Sequence, residues 1–241
     1  MRFFFLNIVL GFLLVGFKSD NTIAFDKVFP SEFTDAKSFL IKNKIIFEDV
    51  STKMGNDPCL ISSIVFPELM RYSLLSDFIE TSVLELVYVQ YGSTAADFSI
   101  GRFQMKPSFA ETIELEIKKD KDLSNAYANL LPDTKKTDED QRKMRVKNLK
   151  DLKFQLYYLN AFCTYCKKKF QTSDNSDLKE MVKLFSTAYN SGFYHSKEKL
   201  AELSSKKFYP YGVKYKGTQY AYSEVAQFFG TYAMNRKIFN K

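Results

Sequence analysis

The sequence has few of the residues that carry most enzyme chemistry. Its 241 residues include one histidine, His195, no tryptophan and only three cysteines. A Ser-His-Asp triad would have to use His195, which lies in the polar segment "YHSKEK", and the chain has no G-x-S-x-G motif. It also has no P-loop, G-x-G-x-x-G or H-E-x-x-H motif. We therefore expect no metal and no cofactor, and carboxylate chemistry remains the main catalytic option.

The three cysteines do not form a metal-binding pattern. Cys163 and Cys166 are spaced as a C-x-x-C pair in "CTYC", but no second pair accompanies them, which argues against a structural zinc site. A thioredoxin-like site needs a βαβ pattern, and the surrounding lysine-rich stretch is helical instead. In an oxidising compartment we expect one disulfide and one remaining thiol, with Cys59 as the third member and the pairing left open.

Long apolar runs are also rare, and the clearest one lies at the N-terminus. The segment "MRFFFLNIVLGFLLVGFKSD" is apolar from Phe3 to Phe17, which is shorter than the roughly 20 residues of a membrane-spanning helix. It predicts a secretory signal peptide over residues 1–24, with cleavage after Ala24, and an uncleaved membrane anchor is the alternative. Either interpretation predicts export to the periplasm or the exterior of the cell envelope.

The charge balance points to the same environment. The formal net charge is +7 at pH 7. For an exported protein, this basic balance suits an anionic wall polymer or a membrane surface better than a nucleic acid. We therefore expect no nucleic-acid partner.

Helical periodicity dominates the rest of the sequence, with no internal repeat and no flexible linker. We predict a mainly α fold with few or no strands, forming a single domain over residues 25–241. Pro67 should kink or break its helix, and residues 213–222 should form a small hairpin or an extended loop. The predicted helices span residues 31–43, 58–75, 76–92, 106–120, 138–170, 176–190 and 223–239.

Glu68 has the most unusual surroundings of any carboxylate in the sequence. It follows an apolar stretch in "SSIVFPELMRYS", and Leu69 and Met70 come directly after it. A carboxyl group near the end of a buried helix is desolvated, so its pKa rises and it can hold a proton near neutral pH. A general acid for glycosidic cleavage needs this property. The alternative is an ordinary glutamate on an exposed helix face.

Three blocks follow one another in a recognisable order: "PELMRYS" at 67–73, "SIGRFQMKP" at 99–107 and "STAYNSGF" at 186–193. This succession resembles the lysozyme-like lytic transglycosylase superfamily, which includes goose-type lysozyme-like proteins. There, a catalytic Glu is followed by a Gly-Leu-Met-Gln-x-x-Pro block and then by an Ala-Tyr-Asn-x-Gly block. The resemblance covers about residues 55–200. The matching residues are Gly101, Gln104, Pro107, Ala110, Ala188, Tyr189, Asn190 and Gly192.

The resemblance implies a lysozyme-like helical fold and a role for each matched residue. Glu68 would be the general acid and then the base at the bond between N-acetylmuramic acid and N-acetylglucosamine in peptidoglycan. Gln104 would offer its amide near the sugar N-acetyl group or near Glu68. Tyr189 would orient the Glu68 carboxyl, and Asn190 would touch the substrate. Ser99 and Arg102 would contact the glycan or its peptide stem, although a surface ion pair is the alternative for Arg102.

The chain also departs from the family pattern. Leu69 stands where the family commonly has serine, and Arg102 and Phe103 replace Leu and Met in the second block. Hydrolysing lysozymes use a second carboxylate, for which Asp97 is the nearby candidate, while a turn-initiating Asp is the alternative. We favour the non-hydrolytic reaction, in which the sugar's own 6-hydroxyl attacks and forms a 1,6-anhydro product.

Two further functions remain open from the sequence. The departures at Leu69 and in the second block favour a catalytically inactive glycan-binding or assembly protein of the same fold, for which envelope partners are unknown. A secreted helical scaffold without a site would make the three ordered blocks coincidental. The joint presence of Glu68, Gln104, Tyr189 and Asn190 favours the enzyme.

Overall fold

A computed structural model describes residues 23–75, 82–173 and 176–239. The predicted mainly α fold is confirmed: in these ranges the chain forms twelve α-helices and one two-stranded sheet. Apart from its last two residues, the predicted signal peptide lies outside the described residues. The helices are α1 (Phe25–Val28), α2 (Pro30–Lys42), α3 (Lys44–Lys53), α4 (Pro58–Leu75), α5 (Ser82–Tyr91), α6 (Pro107–Lys119), α7 (Lys121–Ala126), α8 (Asp138–Lys150), α9 (Leu152–Phe170), α10 (Leu178–Ser191), α11 (Lys197–Leu203) and α12 (Tyr222–Asn235).

Helix α4 is the centre of the core and packs against α2, α3, α10 and α12. Its residues from Cys59 to Met70 are buried all round, as expected for a helix that is apolar on every face. Pro67 does not break α4, which runs continuously from Pro58 to Leu75. Within the described ranges, no helix has both the length and the apolarity needed to cross a membrane.

The long helical stretch predicted from residue 138 to 170 is divided into α8 and α9. Asp151 separates them in an extended conformation, and its carboxylate accepts a hydrogen bond of 3.0 Å from the Phe154 backbone N–H. Aspartate at this position caps the first turn of a new helix. The prediction of one continuous helix was therefore wrong, because the capping signal of a single residue was not recognised within a helical pattern.

A buried ion pair and its hydrogen-bond partners join α5, α6, α8 and α9. The Arg145 guanidinium donates from Nε and Nη2 to the two carboxylate oxygens of Glu114, at 2.8 and 2.5 Å. Tyr158 donates to Glu114 at 2.7 Å, and Arg145 Nη1 lies 2.6 Å from the Tyr88 hydroxyl oxygen and 3.3 Å from Glu111. We name this set of five residues the Arg145 cluster.

The strands are short and lie beside the start of α12. Strand β1 (Lys207–Tyr209) pairs antiparallel with β2 (Tyr220–Ala221), and Lys207 lies opposite Ala221. The predicted hairpin at 213–222 therefore corresponds to the connection between the strands and to β2. The expectation of few strands is confirmed within the described ranges.

The cysteines differ from the sequence-based expectation. Cys59, Cys163 and Cys166 are all buried thiols, and no disulfide is present among them. Cys163 and Cys166 lie in α9, where burial raises the pKa of the Cys166 thiol well above its ordinary value. The C-x-x-C spacing therefore reflects the packing of α9, and the prediction of a disulfide was wrong.

Candidate functional site

Glu68 lies in the second half of α4, directly after Pro67, rather than at the helix end. It is 5% exposed, and both carboxylate oxygens accept hydrogen bonds from Arg71 Nη1, at 2.9 and 3.0 Å. Burial raises the pKa of the Glu68 carboxyl above its ordinary value, against the opposing effects of Arg71 and of Tyr222. The site thus contains a buried carboxyl group of the kind the sequence predicted, together with a cation that the sequence interpretation had not used.

Two tyrosines from the C-terminal part of the chain surround this ion pair. The Arg71 guanidinium lies over the rings of Tyr209 and Tyr222, 5.2 and 5.8 Å from their centroids, within the range of cation–π attraction. Their hydroxyl groups donate to backbone carbonyls of α4: Tyr209 to Pro67 and Tyr222 to Ile64, each at 3.0 Å. These contacts fix the helix segment that carries Glu68.

The second sequence block forms a tight turn. Ile100 and Met105 exchange two backbone hydrogen bonds of 2.9 and 3.1 Å, and both Gly101 and Gln104 have positive φ angles, 68° and 51°. A Cβ atom at Gly101 would collide with the Gln155 side chain. Glycine is therefore required for both the backbone conformation and the close approach of α9.

Tyr189 connects this turn to the surroundings of Glu68. Its hydroxyl donates to the Phe103 carbonyl at 2.7 Å, while the Phe103 N–H donates to Gln155 Oε1 at 2.9 Å. Burial raises the pKa of Tyr189 well above its ordinary value, and the nearby Glu68 carboxylate raises it further. The Tyr189 hydroxyl therefore bonds the turn, and the hydrogen bond to the Glu68 carboxyl group that the resemblance implied stays a prediction.

The remaining residues of the second block contact different partners. The Gln104 amide donates to the Gly101 carbonyl at 2.9 Å, so it stabilises its own turn. Arg102 is exposed, and its guanidinium lies 4.3 Å from the centroid of the Tyr72 ring. Ser99 is half-buried beside the start of the turn. The structure therefore places Arg102 next to α4, one helical turn beyond Glu68, in a stacking contact.

Asp97 supports the beginning of α6. Its two carboxylate oxygens accept from the Ser108 N–H at 3.0 Å and from the Ser108 hydroxyl at 2.8 Å. Lys106 lies 3.6 Å from the same carboxylate. Free backbone N–H groups at a helix N-terminus favour a negative charge. These contacts give Asp97 a structural role at the start of α6, which differs from the turn-initiating role that the sequence alternative assigned to it.

A cleft with a volume of about 410 Å³ lies beside the ion pair. The end of α10, the strand β1 with the residues after it, and the start of α12 form its walls, and the exposed Asn190 is one of the residues that line it. Arg71 lies between Glu68 and this space. The residues that line it include Arg71, Asn190, Lys206, Tyr209, Tyr211 and Tyr222.

The sequence interpretation missed three residues of this site. Arg71 follows Glu68 by three positions within "PELMRYS", so helical spacing places both on one face, and this signal was available. Tyr209 and Tyr222 come from a segment far along the chain, and no local pattern connects them to Glu68.

Comparisons of this chain with protein-family models, with curated proteins and with solved structures find no match. Among the described residues, no group of three or more His, Cys, Asp or Glu side chains could hold a metal ion.

Proposed function

We propose that the chain is an exported peptidoglycan-cleaving enzyme that acts as a lytic transglycosylase. The observation that carries this proposal is the buried Glu68 carboxyl group with its raised pKa. Its neighbour Tyr189 is bonded to the turn that contains Gln104. These residues come from the three sequence blocks in the order that the resemblance implies.

In the proposed reaction, Glu68 acts first as an acid and then as a base. It donates a proton to the glycosidic oxygen as the bond from C1 of N-acetylmuramic acid to that oxygen breaks. The resulting carboxylate takes the proton of the 6-hydroxyl, whose oxygen bonds to C1 and closes the 1,6-anhydro ring. A carboxyl group with a raised pKa suits both steps near neutral pH.

The proposal favours one carboxylate over two. A hydrolysing enzyme needs a second carboxylate on the opposite side of the scissile bond. Asp97, the candidate from the sequence, is engaged with both the N–H and the hydroxyl of Ser108. Intramolecular attack by the 6-hydroxyl requires no such partner, and hydrolysis remains the runner-up reaction.

A second candidate function has a specific observation in its favour. Arg71 bonds both oxygens of Glu68, and a cation at this distance stabilises the ionised carboxylate, which cannot donate a proton. If Arg71 keeps this contact when a ligand is bound, the protein is a glycan-binding or assembly protein without cleavage activity.

Digestion of purified sacculi, with products identified by mass spectrometry, tests the proposal. We expect anhydro-muropeptides from the wild type and a loss of at least about 100-fold for Glu68→Gln, because a general acid typically contributes 10²–10⁴-fold. The matched control is Glu202→Gln on the exposed face of α11, which should retain activity. Reducing-end products would instead assign hydrolysis. Sacculus binding without any products would assign the glycan-binding function.

A further inference from the structure

The cleft beside Glu68 is cationic. Arg71 and Lys206 both line it, and no aspartate or glutamate is among its lining residues in the described part of the chain. The tyrosines Tyr209, Tyr211 and Tyr222 supply aromatic walls, and Asn190 supplies an amide. Aromatic faces and amides are common features of sugar-sized sites, and the two cations add a preference for a negatively charged group.

Arg71 has hydrogen-bonding capacity that the folded chain does not use. Only Nη1 contacts Glu68, and the buried Nε has no hydrogen-bond partner among the described residues. The side chain remains 22% exposed and borders the cleft. A guanidinium presents five donors in a planar fork that matches both oxygens of a carboxylate. Arg71 can therefore form a more complete contact than it has with Glu68.

We propose that this cleft binds a carboxylate-bearing sugar and that Arg71 recognises the carboxylate, with Lys206 at the rim contributing to the attraction. The identity of the sugar rests on the proposed function: in peptidoglycan, N-acetylmuramic acid carries a lactyl carboxylate that N-acetylglucosamine lacks. The ligand carboxylate and Glu68 therefore compete for the same guanidinium.

This competition has a chemical consequence for Glu68. When Arg71 turns towards the ligand, Glu68 loses its nearby cation but stays in the buried segment of α4. Burial without a cation favours the protonated carboxyl group. Arrival of the acidic sugar thus converts Glu68 from an ion-pair partner into a proton donor at the moment when one is needed.

Binding of the two monosaccharides to the full chain tests this proposal by ligand-observed NMR. Neither monosaccharide contains a bond to be cleaved, so the result is independent of the digestion experiment and can hold even where the proposed function fails. We expect the wild type to prefer N-acetylmuramic acid by about tenfold, the effect of a hydrogen bond to a charged group. Arg71→Gln should reduce this preference to less than about twofold.

Three further variants make the test specific. Glu68→Gln should bind N-acetylmuramic acid several-fold more tightly, because Arg71 then has no competing carboxylate, and should bind N-acetylglucosamine as the wild type does. Lys206→Gln changes an exposed residue at the rim of the cleft, so it should not affect folding. It should weaken the binding of N-acetylmuramic acid about twofold. Arg236→Gln removes an exposed arginine that also lies over a tyrosine ring, and it should change nothing. Equal binding of both sugars to the wild type, or an unchanged preference in Arg71→Gln, would overturn the proposal.

Discussion

Two arginine–glutamate pairs in this molecule differ in how many of their hydrogen-bonding groups have partners. In the Arg145 cluster, the guanidinium uses Nε, Nη1 and Nη2, and Glu114 accepts additionally from Tyr158. In the pair at the cleft, Arg71 uses one nitrogen for both Glu68 oxygens and leaves Nε without a partner among the described residues. Glu68, Glu114 and Arg145 are buried, whereas the Arg71 side chain is 22% exposed and borders the cleft.

This difference separates an ion pair whose hydrogen-bonding groups all have partners from one whose groups do not. A buried ion pair contributes to the fold only when additional hydrogen bonds satisfy its remaining donors and acceptors. The Arg145 cluster meets this condition and connects the four helices α5, α6, α8 and α9. The Arg71–Glu68 pair does not, so exchanging the partner of Arg71 costs less free energy. The proposed ligand in the cleft would supply hydrogen-bond acceptors that the folded chain does not provide.

The largest predicted effect comes from breaking the complete pair. Arg145→Met should lower the free energy of unfolding by about 3–5 kcal/mol, because Glu114 would remain buried without its cation. Urea denaturation followed by circular dichroism measures this. Lys143→Met, on the exposed face of the same helix, should change the stability by no more than about 0.5 kcal/mol. Similar losses for the two variants would contradict the structural role of the cluster.

Removal of Arg71 should cost less. Arg71→Met should lower the free energy of unfolding by about 2 kcal/mol at pH 7, the value of a hydrogen bond to a charged group, because Glu68 can take up a proton when its cation is lost. The same denaturation experiment checks this value. A loss as large as that of Arg145→Met would mean that the two pairs are equivalent, and the distinction drawn between them would be wrong.

The pH dependence of stability sharpens the comparison further. The folded-state pKa of Glu68 lies above its ordinary value of 4.5, so the folded state binds the proton more tightly than the unfolded state. This contribution is fully present below pH 4.5 and is lost as the pH rises through the folded pKa, by at most about 1.4 kcal/mol per pH unit. Glu68→Gln should flatten this decline in urea denaturation between pH 4 and pH 8. An unchanged slope in that variant would exclude Glu68 as its source.

Asp97 provides the smallest predicted effect. Asp97→Asn should lower the free energy of unfolding by about 0.5–1 kcal/mol, as expected for a weakened contact at a helix N-terminus. Sacculus digestion should proceed at a rate within about twofold of the wild type, because a residue that only supports α6 has no role at the scissile bond. Loss of cleavage with little change in stability would identify Asp97 as the second carboxylate and favour the hydrolase.

Much of the fold was predictable because its signals are local. The amphipathic segments after Pro30 and Pro107 begin close to where the patterns indicated, and the central apolar segment is indeed α4. The errors arose where a single residue decided the outcome. Asp151 divides a helical stretch through its capping hydrogen bond. Pro67 is accommodated within α4, where Tyr209 and Tyr222 donate to the Pro67 and Ile64 carbonyls.

The site was predictable only in part. Glu68 is buried as its apolar neighbours indicated, and Gly101 has the positive φ that a tight turn requires. The partner of the Tyr189 hydroxyl was not predictable, because the choice between Glu68 and the Phe103 carbonyl depends on the position of a backbone turn more than eighty residues away in sequence. Tertiary contacts of this kind leave no periodic pattern in the chain.

Tyr209 and Tyr222, which lie beside the Arg71–Glu68 pair, belong to the part of the chain that is synthesised last. Both hydroxyls hold α4, and both belong to segments that follow the third sequence block. A nascent chain that ends near residue 200 contains every residue of the three blocks but lacks the two rings that surround the ion pair. Glu68 would then face water and behave as an ordinary glutamate. The burial predicted to raise the Glu68 pKa is therefore complete only after β1 and α12 have docked.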